Sequence, residues 1–129
     1  GYDWVKLSLN KFLQTEEIES NKIILGIPFY TRVWTTDPSG KSTSKTVSMK
    51  KTESVIPDGT QKQWNDDLKQ NYVEYTDGNN KKQIWIEDID SIKSKISLIT
   101  ENNLGGVASW QKDMELDEIW SVLKGEINK

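Results

Sequence analysis

The sequence predicts an α/β fold that carries a small α+β insertion. Two apolar runs, over residues 22–30 and 104–110, do not alternate with polar residues, which is typical of strands covered on both faces of a parallel sheet. A strongly periodic helix over residues 89–101 lies between them in the chain. Because parallel strands need a crossover that is usually helical, this order predicts that the two runs pair with each other.

The first predicted element is an amphipathic helix over residues 4–14, with Asp3 as its expected N-cap. Its apolar positions share one helical face: Val5, Leu9, Phe12 and Leu13. The first apolar run follows and contains Pro28. Because proline has no amide hydrogen, we expect Pro28 to stand where the ladder of hydrogen bonds ends.

Residues 36–81 change in character and are predicted to form the α+β insertion, which leaves residues 1–35 and 82–129 for the α/β portion. The insertion begins with a polar stretch that contains a Pro-Ser-Gly turn signal. A short strand over residues 46–49 and a short helix over residues 50–56 are expected next.

A β-hairpin is predicted at the end of this segment. Residues 72–75 alternate with period two, and the Asp-Gly pair at 77–78 is a hairpin turn signal. The partner strand is expected over residues 82–87, where two isoleucines share one face and Trp85 lies on the other. The insertion is therefore expected to rest on antiparallel strands.

Two further helices are predicted in the C-terminal part. The helix over residues 89–101 has Asp88 as its expected N-cap. Its apolar face is formed by Ile89, Ile92, Ile96 and Ile99. A last helix packing on the sheet is predicted from the spacing of Leu116, Ile119, Trp120 and Leu123.

The predicted sheet is incomplete. A chain of 129 residues is too short for a closed (β/α)₈ barrel, which needs roughly 200 to 250 residues. Two parallel strands leave apolar edges open, and such edges favour association with another copy. No initiator Met precedes Gly1, so we expect a piece of a longer protein, and an oligomer formed through the open edges is possible.

Composition excludes several classes of function. With 17 Lys and Arg against 20 Asp and Glu, the net charge of −3 gives no electrostatic basis for binding nucleic acid. No apolar run reaches the length of a membrane span. Without Cys or His, thiolate zinc sites, cysteine nucleophiles and Ser-His-Asp triads are excluded within this chain, and no metal or organic cofactor is expected.

Two motifs carry a resemblance to a known family. Residues 25–34 read L-G-I-P-F-Y-T-R-V-W, and residues 105–110 read G-G-V-A-S-W. In this order, and on either side of an insertion, they resemble the last two strands of glycoside hydrolase family 18, the chitinase-like family, and most closely its spore-cortex and cell-wall branch. The resemblance implies that the chain is the C-terminal part of a TIM barrel, with strands seven and eight and their helices.

The resemblance also implies a function. It points to hydrolysis of glycan that contains N-acetylglucosamine, either chitin-like or peptidoglycan, by a protein that is secreted or associated with the cell wall or spore. In the family a Glu protonates the leaving oxygen while the 2-acetamido group of the substrate attacks the anomeric carbon. The motif D-x-x-D-x-D-x-E that carries this Glu is missing here, and Asp88-Ile89-Asp90 has Ile92 where the acid would stand. No residue is therefore assigned as catalytic, and the chain alone is expected to be inactive.

Four residues are candidates for substrate binding. The resemblance makes Trp110 the floor of the sugar pocket and places Tyr30 and Arg32 along the cleft; the alternatives are a core Trp and an Arg paired with an acid of the insertion. Trp34 either stacks on sugar or anchors the insertion. The remaining candidates are assigned elsewhere: Glu74, Glu87 and Glu115 to solvated or capping positions, and Trp64, Trp85 and Trp120 to the core.

Two other functions stay open at this point. The chain is alternatively a carbohydrate-binding module that holds glycan on exposed aromatic rings and does no chemistry. A third possibility is a remnant that assembles with copies of itself through its open strand edges.

Overall fold

The computed structural model describes residues 1–15 and 17–128, which form three α-helices and two β-sheets. The elements in chain order are α1 (Tyr2–Thr15), β1 (Ile24–Pro28), β2 (Tyr30–Thr36), β3 (Ser42–Ser48), β4 (Gln63–Asn65), β5 (Gln70–Asp77), β6 (Asn80–Ile86), α2 (Ile89–Glu101), β7 (Gly106–Trp110) and α3 (Ile119–Ile127). Within the described ranges, no helix is long and apolar enough to cross a membrane.

Strands β1 and β7 pair in parallel, as the two apolar runs predict. Pro28 is opposite Trp110 in the last pair of the ladder, so the expectation for this proline is confirmed. The expectation of one strand over residues 22–30 is wrong, because the chain bends at the buried Phe29 and Tyr30 begins a strand of the other sheet. A proline at the end of a ladder makes this change of sheet easy, because it breaks the pattern of amide donors.

Helix α2 packs against both parallel strands and against α1 and α3. The larger hydrophobic core lies among these elements and includes Phe29, Ile92, Ile96 and Ile119. Full burial of both strand faces, expected from the sequence, is wrong: Ile24 is 54% exposed, since the helices cover only one face of this two-stranded sheet.

The second sheet is antiparallel, with the strand order β3-β2-β6-β5-β4. It spans residues 30–86, so residues 30–35 and 82–86 are strands of this sheet as well. The predicted hairpin is confirmed as β5 and β6, joined by a two-residue turn in which Gly78 has a φ of +60°. The short helix expected over residues 50–56 is replaced by two 3₁₀ turns, at Met49–Lys51 and Glu53–Val55.

The antiparallel sheet has one buried and one open face. Val33, Val73, Ile84 and Ile86 form a small core on the buried face. Because side chains alternate along a strand, the residues between them point to the other face, and Trp85 is among these, as predicted. This open face carries most of the candidate site.

Helix α2 begins as predicted. The Asp88 carboxylate accepts a hydrogen bond from the Ser91 amide at 2.9 Å, and the Ser91 hydroxyl accepts one from the Asp88 amide at 3.0 Å. These reciprocal bonds form a capping box. Helix α1, in contrast, already begins at Tyr2, so Asp3 lies in its first turn and is not its N-cap.

A buried polar cluster joins the antiparallel sheet to α2. Glu87 forms an ion pair with Lys95, and both side chains are almost fully buried. The Glu87 carboxylate also accepts hydrogen bonds from the Gln70 amide at 2.7 Å and the Ser91 hydroxyl at 2.9 Å. The Glu87 backbone amide donates to the Thr31 hydroxyl at 3.0 Å. Strands β2 and β5 are thereby linked to the start of α2.

Candidate sugar-binding site

An open pocket lies at the carboxyl ends of the two parallel strands. It has a volume of about 380 Å³ and is lined by Gly26, Ile27, Pro28, Tyr30, Ala108, Ser109 and Trp110. The small side chains at positions 26 and 108 leave space beside the Trp110 ring, which is 65% exposed. A core role for Trp110 is therefore wrong in the described chain. An exposed indole face in an apolar pocket suits a flat apolar surface such as the C–H face of a sugar ring.

Strand β2 extends from this pocket. Tyr30, Arg32 and Trp34 alternate with buried residues and so share the open face of the antiparallel sheet. Tyr30 lines the pocket itself, while Arg32 and Trp34 follow at steps of about 7 Å per two residues. The structure thus brings Tyr30 and Trp110 together and puts the other two candidates farther along the same face.

The Arg32 guanidinium has a hydroxyl partner. Its Nη1 donates to the Ser44 hydroxyl at 2.9 Å, and within residues 1–15 and 17–128 it forms no ion pair with a carboxylate. The alternative of an Arg paired with an acid of the insertion is therefore wrong for the described residues. An exposed guanidinium held by a neutral group keeps donors for a ligand.

Two aromatic residues beside Arg32 were not assigned to the site from the sequence. Trp85 is directly opposite Arg32 on β6, and Tyr72 is directly opposite Trp85 on β5. The two rings pack with centroids 4.9 Å apart and a tilt of 47°. The signal that could have found them is the alternation in β6, which turns Trp85 away from the core. The assignment of Trp64, Trp85 and Trp120 to the core is wrong, since Trp64 and Trp120 are about half exposed and Trp85 lies on the open face, outside the core cluster.

The carboxylates of the sheet face and its surroundings are occupied. Glu74 accepts a hydrogen bond from the Tyr72 hydroxyl at 2.5 Å and pairs with Lys81 at 3.0 Å, and these contacts hold the pKa of Glu74 below its usual range. A hydrogen bond from its own backbone amide is the main reason why the pKa of Glu115 is lowered too. Carboxylates that stay ionised in this way are poor general acids.

The pocket at Trp110 is lined without a carboxylate. Among the residues that the structure describes, no group of three or more His, Cys, Asp or Glu is placed to hold a metal ion. The groups brought together are an exposed indole and a phenol at the pocket, with a guanidinium farther along the strand that carries the phenol.

Comparison with known proteins points to one family. The family model for glycosyl hydrolases family 18 matches residues 4–115. The cortical fragment-lytic enzyme of Bacillus subtilis (strain 168) is 29% identical over 115 residues, which cover 87% of this chain and 27% of that protein. The chain therefore spans about a quarter of the length of this curated relative.

Solved structures show the same likeness. The spore cortex-lytic enzyme SleL of Bacillus megaterium QM B1551 superposes with a TM-score of 0.74 at 28% identity, over 86% of this chain and 27% of that one. A chitinase from Chromobacterium violaceum ATCC 12472 superposes with a TM-score of 0.77 at 24% identity, over 88% of this chain and 35% of that one. The α/β fold thus resembles that of chitinase domains. On the match of the family model over most of its length, the chain belongs to glycosyl hydrolases family 18.

Proposed function

We propose that this chain forms part of the substrate cleft of a glycosidase that acts on glycan containing N-acetylglucosamine, either chitin-like or peptidoglycan. Membership of family 18 supports this activity, and the similarity to cortex-lytic enzymes and chitinases supports the class of substrate. The observation that carries the proposal is the exposed Trp110 ring, which opens onto an apolar pocket at the carboxyl ends of two parallel strands.

The candidate residues have distinct roles in this proposal. Trp110 is the floor on which the apolar face of one sugar ring lies. Tyr30 closes one side of the pocket and offers a phenol hydroxyl, and Arg32 offers guanidinium donors to hydroxyl or carboxylate groups farther along. Trp34, which is 40% exposed, contacts the glycan beyond Arg32.

We further infer that residues 1–35 and 82–129 are the C-terminal part of a (β/α)₈ barrel and that residues 36–81 are its α+β insertion. Strands β1 and β7 are then the last two barrel strands. Two findings support this: each of these strands has a neighbour on one side only within the described chain, and the chain spans 27% of the curated relative. Carboxyl ends of barrel strands are where active sites of this fold lie.

The catalytic acid belongs to another part of the protein in this proposal, because no D-x-x-D-x-D-x-E motif occurs among the 129 residues. We expect the purified chain to release no product from chitin-like oligosaccharides or from peptidoglycan. Hydrolysis by the purified chain would contradict this part of the proposal. The similarity to cortex-lytic enzymes supports a location in the cell wall or spore, or outside the cell.

The test is a titration of the chain with N-acetylglucosamine oligomers, followed by NMR of the indole N–H groups. The chain has six Trp, so each signal can be assigned from single variants. The Trp110 signal should move without saturating below about 1 mM, since part of the cleft is elsewhere. Trp110→Ala should abolish any shifts that the oligomers cause in the remaining indole signals. Trp4→Ala, an exposed position on α1, is the matched control and should leave them unchanged.

Other outcomes separate the alternatives. Saturation at about 1 mM or below, without hydrolysis, favours an independent carbohydrate-binding module. If the Trp110 signal stays fixed at every oligomer length, Trp110 is not a sugar floor and the proposal fails.

Self-association is the second candidate, favoured by the exposed Ile24 on a two-stranded sheet. A second copy that pairs with the open edge of this two-stranded sheet would cover apolar surface that water now contacts. Light scattering should then give a dimer or larger species, and Ile24→Lys should return it to a monomer. A monomer at all concentrations would contradict this candidate.

A further inference from the structure

We propose that the hollow beside Tyr72 and Trp85, on the open face of the antiparallel sheet, is a second subsite that binds a sugar ring of the same glycan beyond the ring held at Trp110. The hollow is lined by Gln63, Trp64, Asn65, Tyr72 and Trp85 and has a volume of about 220 Å³. The inference rests on the proposed function, because it extends the cleft that begins at Trp110.

The strand register forms a continuous row across the sheet. Arg32 pairs with Trp85, Trp85 pairs with Tyr72, and Tyr72 pairs with Gln63. Residues directly opposite each other in antiparallel strands lie on the same face with Cβ atoms about 5 Å apart. The row therefore leads from Arg32, near the Trp110 pocket, to the hollow at the far edge of the sheet.

The side chains of the hollow match the two surfaces of a pyranose ring. Tyr72 and Trp85 supply aromatic surface for its apolar C–H face. Gln63 supplies an amide group that can both donate to and accept from hydroxyl and acetamido groups, and Asn65, whose Oδ1 accepts from the Leu68 amide at 2.8 Å, offers its Nδ2 as a donor. Within residues 1–15 and 17–128 the Gln63 side chain makes no hydrogen bond, so its amide is available to a ligand.

Folding does not require these aromatic residues on this face. The core of the sheet lies on its opposite side, around Val73 and Ile84, which are fully buried. Trp85 and Tyr72 contact each other on the open side, and both stay partly accessible. A pair of large rings kept at a surface hollow indicates an aromatic binding platform.

The platform is held in place before any ligand arrives. The Tyr72 hydroxyl donates to Glu74 at 2.5 Å and accepts from the Gln83 amide at 2.7 Å. These two bonds fix the ring that packs against Trp85. A fixed ring loses little conformational entropy on binding, so its contact energy is retained as affinity.

The test uses the 129-residue chain and N-acetylglucosamine oligomers of two to six units, with the indole N–H signals as the readout. The disaccharide should move the signal of Trp110 and leave that of Trp85 in place. Longer oligomers should move both signals and bind about three- to tenfold more tightly, which is the range for one aromatic contact.

Two variants and a control sharpen the test. Trp85→Leu keeps apolar bulk but removes the planar ring, and it should abolish the gain of long oligomers while leaving disaccharide binding unchanged. Gln63 is exposed on an edge strand, so Gln63→Ala should keep the fold. It therefore tests the hollow even where Trp85→Leu fails to fold. It should reduce the gain by about half or more. Trp4→Ala, on α1, should behave as the unmodified chain.

The outcomes distinguish the second subsite from the proposed function. If affinity is the same at every length and the Trp85 signal stays fixed while Trp110 responds, the second subsite is refuted and the proposed function stands. If Trp85 responds and Trp110 does not, the hollow binds sugar but the proposed cleft is wrong. No response of either signal at any oligomer length overturns the second subsite.

Discussion

The buried ion pair between Glu87 and Lys95 gives the strongest test of how the antiparallel sheet is joined to helix α2. Both side chains are more than nine-tenths buried, and Glu87 has further hydrogen bonds from Gln70 and Ser91. We predict that Lys95→Met strongly lowers the free energy of unfolding. The reason is that it leaves the Glu87 carboxylate buried without its counter-charge.

The magnitude follows from this burial. Removing one partner of a buried pair costs about 3–5 kcal/mol, out of a total stability of roughly 5–15 kcal/mol for a domain. At a denaturant slope of about 1.5 kcal/mol per molar urea, the unfolding midpoint falls by roughly 2–3 M. The double variant Glu87→Gln/Lys95→Met removes both charges and keeps an oxygen for the Gln70 amide, so it should recover most of the loss.

The assay is urea unfolding followed by circular dichroism and Trp fluorescence for the two single variants and the double variant. Lys93→Met is the matched control, because Lys93 is exposed on the same helix and its loss should change stability by less than about 0.5 kcal/mol. A loss below about 1 kcal/mol for Lys95→Met would refute the reasoning. So would a double variant whose loss equals the sum of the two single losses.

Four further changes are predicted to act through local structure. Gly105→Ala should lower the free energy of unfolding by at least about 2 kcal/mol, because the new Cβ would lie 2.1 Å from the Asn21 carbonyl oxygen. In α3, the new Cβ of Gly125→Ala would meet no atom within 4 Å, so this change should raise the free energy of unfolding by about 0.5–1 kcal/mol. Urea unfolding measures both changes. Asp88→Ala should remove the cap of α2 and lower the melting temperature by roughly 4 °C, for a loss of about 1 kcal/mol. Because its contacts in the folded state lower the pKa of Glu74, the ionised carboxylate stabilises the fold above about pH 4.3. This contribution is lost as the pH falls through the folded-state pKa. Glu74→Gln should therefore flatten the acid side of a melting-temperature profile between pH 7 and 3, whereas an unchanged slope would contradict the assignment.

The sequence predicts best those features that depend on neighbouring residues. Helix α2 was predicted over the range found, because isoleucines recur at helical spacing and an Asp precedes them. The hairpin of β5 and β6 follows from period-two alternation on both sides of an Asp-Gly turn. The parallel pairing of β1 and β7 follows from two apolar runs joined through a helix. In each case the signal and the structure occupy the same short stretch of chain.

Features that depend on distant partners were missed. Nothing in the run over residues 22–30 shows that Phe29 divides it between two sheets, because the second sheet forms only when β2 meets β6. The exposure of Trp120 is likewise not local: its ring forms a T-shaped pair with Phe29, with centroids 5.8 Å apart, and half of the residue stays exposed. An aromatic residue in a helical pattern predicts burial only if some element covers that face.

The candidate site likewise has residues that local motifs predict and residues that depend on distant partners. Trp110, Tyr30 and Arg32 are candidates because of short motifs, which keep their order in the chain. The partnership of Trp85 with Arg32 was not, although alternation in β6 already turns Trp85 away from the core. Alternation gives the face on which a side chain lies, but only the strand order gives its neighbour.

The buried cluster that joins the antiparallel sheet to helix α2 also sets the geometry of the candidate sugar-binding face. The Thr31 hydroxyl, which accepts from the Glu87 amide at 3.0 Å, belongs to the residue before Arg32, and Glu87 lies two residues after Trp85. The bond between them therefore fixes which residue of β6 stands opposite Arg32. A slip by one residue would put Arg32 and Trp85 on opposite faces of the sheet, because side chains alternate with period two. In the proposed function the ion pair with Lys95 therefore has an indirect role: it holds Glu87, whose amide bonds to Thr31 beside Arg32.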